Sequence, residues 1–82
     1  PLSVNNDLHI DIESSDNVLN YNIKIYNTLG HCLHTFDYEN LQLGLNKKIV
    51  VPITEVDIAS GIYFIEINIR NNQFLSKIAL IK

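Results

Sequence analysis

The chain has 82 residues, of which 46% are hydrophobic and 18% charged, with a formal net charge of −3. A chain of this length makes one domain, spanning residues 1–82, and buries only about 60% of the surface it exposes when unfolded, so a catalytic domain beside a substrate domain is excluded. Six Lys and Arg against nine Asp and Glu leave no basic footprint for nucleic acid, and the single cysteine, Cys32, excludes an internal disulfide framework.

The apolar runs are a handful of residues long, far below the roughly 20 that span a bilayer. The chain opens on Pro1 with no Met and no secretory leader represented, which leads us to expect a piece cut from a larger product. Thirteen Ile and 11 Asn against two Ala favour strands and turns over helices, because β-branched residues suit a pleated surface and the best helix former is nearly missing.

Leu8 to Glu13 alternates with a period of two, placing Leu8, Ile10 and Ile12 inward and His9, Asp11 and Glu13 toward water. Ser14-Ser15-Asp16-Asn17 is a turn cluster. The second predicted strand, Tyr21 to Asn27, points Tyr21, Ile23 and Ile25 inward. Asn27-Thr28-Leu29-Gly30 then closes a hairpin in which Asn suits the first position of a type I turn and Gly30 accepts positive φ. His31 to Tyr38 is the third strand, Glu39 to Asn46 a loop, and Lys47 to Ile53 the fourth strand. Pro52 suits its end, and Lys47 and Lys48 discourage edge pairing.

Ile62 to Arg70 and Gln73 to Ile81 read as a hairpin across a two-residue loop, Asn71-Asn72. That loop sets Ile69 opposite Phe74, Ile67 opposite Ser76, Ile65 opposite Ile78 and Tyr63 opposite Leu80, with Glu66 facing Lys77 as an opposite-charge pair. Six or seven short strands separated by regular turns predict an all-β, immunoglobulin-like antiparallel β-sandwich of about seven short strands, with a small barrel as the alternative.

In this register Ile62, Phe64, Ala79 and Ile81 share the face opposite the core. Two readings stand: a neighbouring loop or strand covers them, or they form an apolar docking patch.

Little in the chain points to chemistry. His31-Cys32-Leu33-His34 lies in a strand, with Cys32 and His34 on one face, and lacks the second ligand pair of a structural zinc site. It reads as a buried cysteine beside surface histidines. His9, Asp11 and Glu13 form an open polar stripe, not the cleft that raises a catalytic carboxyl's pKa. Ser14, Ser15 and Ser60 lack triad partners, and the glycines form no phosphate loop. Asn5-Asn6-Asp7 lacks the carboxylate density of a calcium loop. Tyr21 and Tyr63 face inward with their hydroxyls reaching the rim. No cofactor and no metal is expected, and the residues by themselves lead to a non-catalytic β-sandwich.

Three segments add a resemblance. Ile23-Lys24-Ile25-Tyr26-Asn27-Thr28-Leu29-Gly30, Ala59-Ser60-Gly61-Ile62-Tyr63-Phe64 and Ser76-Lys77-Ile78-Ala79-Leu80-Ile81-Lys82 resemble, in order, the second-strand motif, the Gly-x-Tyr motif and the closing strand of one family. Pro1 and Leu8-His9-Ile10 fall where its opening Asn-Pro and first strand would sit. The family is the C-terminal sorting domain of the type IX, or Por, secretion system. His31 departs from it, standing where Gln, Arg or Lys is usual.

The resemblance implies a folded, non-enzymatic label at the end of a secreted protein in Bacteroidota. The cargo, the N-terminal domains of the same chain, would cross the periplasm of a Gram-negative bacterium and reach the cell surface or medium. Its partners would be outer-membrane type IX translocon and sortase components. By the same implication Gly61 and Tyr63 belong to the Gly-x-Tyr motif, and Lys77 and Lys82 to a terminal recognition strand. Gly30, Gly61 and Tyr63 serve mainly fold integrity in this reading, and Lys77 and Lys82 mainly recognition. The competing functional reading is an accessory fibronectin-like or carbohydrate-binding module of an extracellular enzyme or adhesin, and a more distant one is an oligomerisation domain.

Overall fold

The computed structural model describes residues 2–4, 6–11, 18–42, 48–69 and 72–82. Their strands are β1 (Leu2–Val4), β2 (Leu8–Asp11), β3 (Val18–Tyr26), β4 (Cys32–Gln42), β5 (Lys48–Val51), β6 (Gly61–Ile69) and β7 (Asn72–Leu80), with one 3-10 turn at Ile53–Glu55 between β5 and β6. One sheet runs in the order β1-β7-β6-β3-β4, and β2 pairs with β5 in the other. All pairings are antiparallel except that of β1 with β7. The chain is an all-β sandwich, as its periodicity predicts.

Alternation sets the core. Tyr21, Ile23 and Ile25 of β3, Ile65, Ile67 and Ile69 of β6, and Ile78 and Leu80 of β7 are buried, as are Ile49 and Val51 of β5 and Ile53 and Val56 beyond it. Residues two apart in a strand share a face, so each strand delivers a row of side chains to the same interior. Burying one isoleucine contributes roughly 2–3 kcal/mol relative to leaving it in water. Tyr21 stacks on Tyr38 with ring centroids 4.9 Å apart, and burial pushes its phenol up to about 12.

Several expectations need correction. The β6–β7 hairpin pairs Ile69 with Asn72, Ile67 with Phe74, Ile65 with Ser76, Phe64 with Lys77, Tyr63 with Ile78 and Gly61 with Leu80. Asn72 is therefore a strand residue, and Asn71 lies outside the described residues. The register is shifted by two from the expected one, which preserves every face but changes every partner. Glu66 faces Leu75 on one side and Lys24 on the other, not Lys77.

Cys32 is exposed, not buried. A register shift between the Ile25 and Tyr26 rungs sets Cys32 opposite Tyr26 and His34 opposite Ile25, so the two lie on opposite faces. Strand β4 continues through Gln42 into the expected loop, whose residues 43–46 lie outside the described ones; Ile12 and Glu13 of the first expected strand and the turn cluster at 14–17 lie outside them too. Strand β1 and the 3-10 turn have no counterpart in the expected element order. β1 runs parallel to β7, with Leu2 opposite Ile78, Ser3 opposite Ala79 and Val4 opposite Leu80. The far end of β7 is consequently an inner strand of the sheet.

Candidate recognition site

The 3-10 turn leads directly into an extended Val56, with φ −92° and ψ 128°. The Val56 carbonyl accepts the Ile58 N–H at 3.0 Å and the Lys82 Nζ at 3.1 Å. The Lys82 backbone N–H donates to Ser60 Oγ at 2.9 Å. The Tyr63 hydroxyl donates to the Ala59 carbonyl at 2.6 Å. Val56, Ala59 and Ser60 of the segment 56–60 are thus gripped from two sides, by the aromatic of β6 and by Lys82, two residues beyond β7.

The Gly-x-Tyr spacing has a local cause. Gly61 and Tyr63 share a face of β6, and the phenol ring lies back along the glycine to reach Ala59. A Cβ added at Gly61 would sit 3.7 Å from the Tyr63 ring and hydroxyl, an ordinary van der Waals contact. Gly61 therefore gives the ring room without being sterically obligatory.

Gly30 is a different case. It has φ +83°, where a side chain is strained. Its N–H donates to the Asn27 carbonyl at 3.0 Å, and Asn27 Oδ1 accepts the N–H groups of Leu29 at 3.0 Å and His31 at 2.9 Å. One asparagine side chain thus satisfies two amides of the turn. Because Tyr26 pairs with Phe64, this turn lies at the same end of the sheet as Gly61.

Lys77 stands apart from that corner. It is exposed on the outer face opposite Phe64, beside the Ile62–Ala79 rung. Ile62, Phe64 and Ala79 are half-buried there, and Ile81 is 55% exposed. The other half of this face carries Asn22, Lys24, Glu66 and Asn68, beside the exposed Leu75. Asn68 Nδ2 donates to Asn22 Oδ1 and to Glu66 Oε1, each at 2.8 Å. The bond from Asn68 holds the Glu66 carboxyl below its ordinary value, with further help from Tyr26, Gln73 and the charge of Lys24. The outer face is therefore divided into a hydrogen-bonded half and an apolar half edged by Lys77.

Of the residues singled out in the sequence, Gly61, Tyr63 and Lys82 converge, Lys77 joins the Ile62, Phe64, Ala79 and Ile81 patch, and Gly30 holds a separate turn. Sequence reasoning passed over Val56, Ala59 and Ser60 as partners, although Ser60 sits directly before Gly-x-Tyr. It also passed over the clamp at Asp7, whose Oδ1 accepts the Thr54 N–H at 3.0 Å and the Thr54 hydroxyl at 2.6 Å. Those bonds, the hydroxyl's first, hold the Asp7 carboxyl below its ordinary value. Partners 47 residues apart leave no local pattern to read. Among the described residues no group of three or more potential metal ligands gathers, and no helix is long and apolar enough to cross a membrane.

These observations define a small all-β sandwich module with its characteristic motif closed into a corner of the fold. The chain belongs to the secretion system C-terminal sorting domains, the type IX family, whose sequence profile matches residues 1–82. No match to the chain was found among curated proteins or among solved structures. Membership implies interaction with the type IX secretion machinery and a secreted or cell-surface protein.

Proposed function

We propose that the domain is a non-catalytic address that follows its cargo in one longer chain and directs it through the outer membrane to the cell surface or medium. Outer-membrane translocon and sortase components are its readers in this proposal. The observation that carries the reading is the family match over residues 1–82. The convergence of Gly61, Tyr63 and Lys82 supports it, because it lets one folded corner stand for motifs that are far apart in the chain. Lys82 acts in this reading by closing the corner, whereas Lys77 and its apolar neighbours are the surface available to a reader.

The experiment is to place residues 1–82 behind a periplasmic fluorescent reporter in a type IX-competent bacterium. Export to the surface or medium that is lost with Lys77→Glu, while the domain remains folded, supports the assignment. A folded reporter that stays in the periplasm overturns it, and glycan binding by that retained protein would favour the accessory module.

A further inference from the structure

Lys77 is exposed on the outer face of β7, between Leu75 and Ala79 on that face and opposite Phe64 of β6. The nearest carboxylate there is Glu66, which faces Leu75 and so stands diagonal to Lys77. Diagonal positions lie about 7–8 Å apart. The Glu66 carboxyl is already engaged by Asn68, Tyr26 and Gln73 and by the charge of Lys24, and Lys77 is not among the groups that hold it down. Among the described residues the Lys77 ammonium makes no ion pair and no hydrogen bond. A chain of net charge −3 thus presents a bare cation on its apolar half-face.

The charge and its surroundings select among occupants. Binding to an anionic lipid surface takes clusters of about 4–8 Lys or Arg, and a lone lysine on an acidic chain falls far short. A second copy seated patch to patch would bring in a second Lys77 and no free carboxylate, because a two-fold interface uses the same surface twice. Like charges in one interface oppose that arrangement. What complements the patch is a protein surface on which apolar side chains surround an Asp or Glu. Apolar contact excludes water from such a pair, and the attraction between the charges strengthens as water leaves. A surface with Lys or Arg at that place is rejected, so this charge decides which partner seats.

We propose that the component of the export machinery that reads this domain carries a carboxylate set among apolar side chains. The carboxylate pairs with Lys77 Nζ while its apolar neighbours seat on Ile62, Phe64, Ala79 and Ile81. The inference rests on the reading of the domain as an address and adds the chemistry of its reader. Lys82 stays outside the contact, because its Nζ is held by the Val56 carbonyl.

The test follows the full parent chain in a type IX-competent host and measures the rate at which it leaves the periplasm, each variant being checked for parent-like thermal unfolding. Lys77→Arg is expected to keep the parent rate, Lys77→Met to lower it about fivefold or more, and Lys77→Glu to lower it further. Lys24→Met removes a cation that already faces Glu66 and is expected to leave the rate unchanged. Zero-length carbodiimide coupling joins only an amine and a carboxylate in contact, and peptide mass spectrometry is expected to find Lys77 linked to an Asp or Glu of an outer-membrane component. A Lys77→Met chain exported at the parent rate overturns the proposal, as does coupling that never involves Lys77. Lys77-dependent binding to phosphatidylglycerol vesicles overturns it in favour of a lipid surface. Sedimentation that Lys77→Glu shifts from dimer to monomer overturns it in favour of a second copy. Deleting residues 1–82 keeps the two readings apart. Normal export of the truncated chain refutes the address itself, whereas export that is lost on deletion but indifferent to Lys77 refutes the paired carboxylate alone.

Discussion

Lys82 and Val56 lie 26 residues apart in sequence, yet the Lys82 Nζ donates to the Val56 carbonyl at 3.1 Å. The same lysine's backbone N–H holds Ser60, so residue 82 is bonded through both its main chain and its side chain. A cation on a flexible stem that is held in this way works as a strut as well as a charge.

Replacing Lys82 by Met keeps the stem and removes the donor. We expect a loss of about 1 kcal/mol in urea unfolding, at the low end for a charged hydrogen bond because water screens this one. Faster exchange of the Ile58 amide should accompany it. An unchanged midpoint together with unchanged Ile58 exchange would show that the bond contributes nothing.

Tyr63→Phe removes only the hydroxyl that reaches Ala59. The expected cost is about 1 kcal/mol. Tyr63→Ala also removes the ring packed beside the core, with an expected cost of roughly 3 kcal/mol. Chemical denaturation of the two variants separates the bond from the packing.

The two motif glycines should respond differently to alanine. Gly30→Ala places a Cβ at φ +83° and should cost about 1–2 kcal/mol. Gly61→Ala meets the Tyr63 ring at an ordinary 3.7 Å and should change stability by less than about 0.5 kcal/mol. Thermal unfolding of both proteins measures the difference, and equal losses would refute the distinction.

Acid should loosen the Asp7–Thr54 clamp. The Asp7 carboxyl titrates below its ordinary 3.8 in the folded protein, so its stabilisation is present above that value and is lost as pH falls through the lower folded one. Asp7→Ala should therefore lower stability by about 1 kcal/mol at neutral pH, and the gap from the parent should narrow below the ordinary carboxylate range. A gap that is constant with pH would assign the effect to packing. Glu66, held below its ordinary 4.5, adds an acid dependence that this variant retains.

Sequence periodicity was sufficient for the faces of the sheet because two-residue alternation survives any even shift in pairing. Ile65, Ile67, Ile69, Ile78 and Leu80 are buried although a turn at Asn71-Asn72 would set each against a different partner across the hairpin. The register itself depended on choosing Asn71-Asn72 as the turn, and Asn72 in fact pairs with Ile69. Cys32 changed face because one irregular rung beside Tyr26 reverses the alternation beyond it. β1 is only three residues long and owes its existence to a parallel partner at the far end of the chain. The motif residues Gly61 and Tyr63 could be picked out by spacing, whereas the bonds from Lys82 to Val56 and Ser60 arise only from the folded path of the chain.

A corner divided between residues 56–63 and residue 82 does not exist on an extended polypeptide. Machinery that reads a surface held in shape by this closed corner would ignore nascent or clipped copies and accept only finished ones. Departure from the periplasm would then be paced by how quickly the sandwich closes, and inspection of quality and delivery would be a single event.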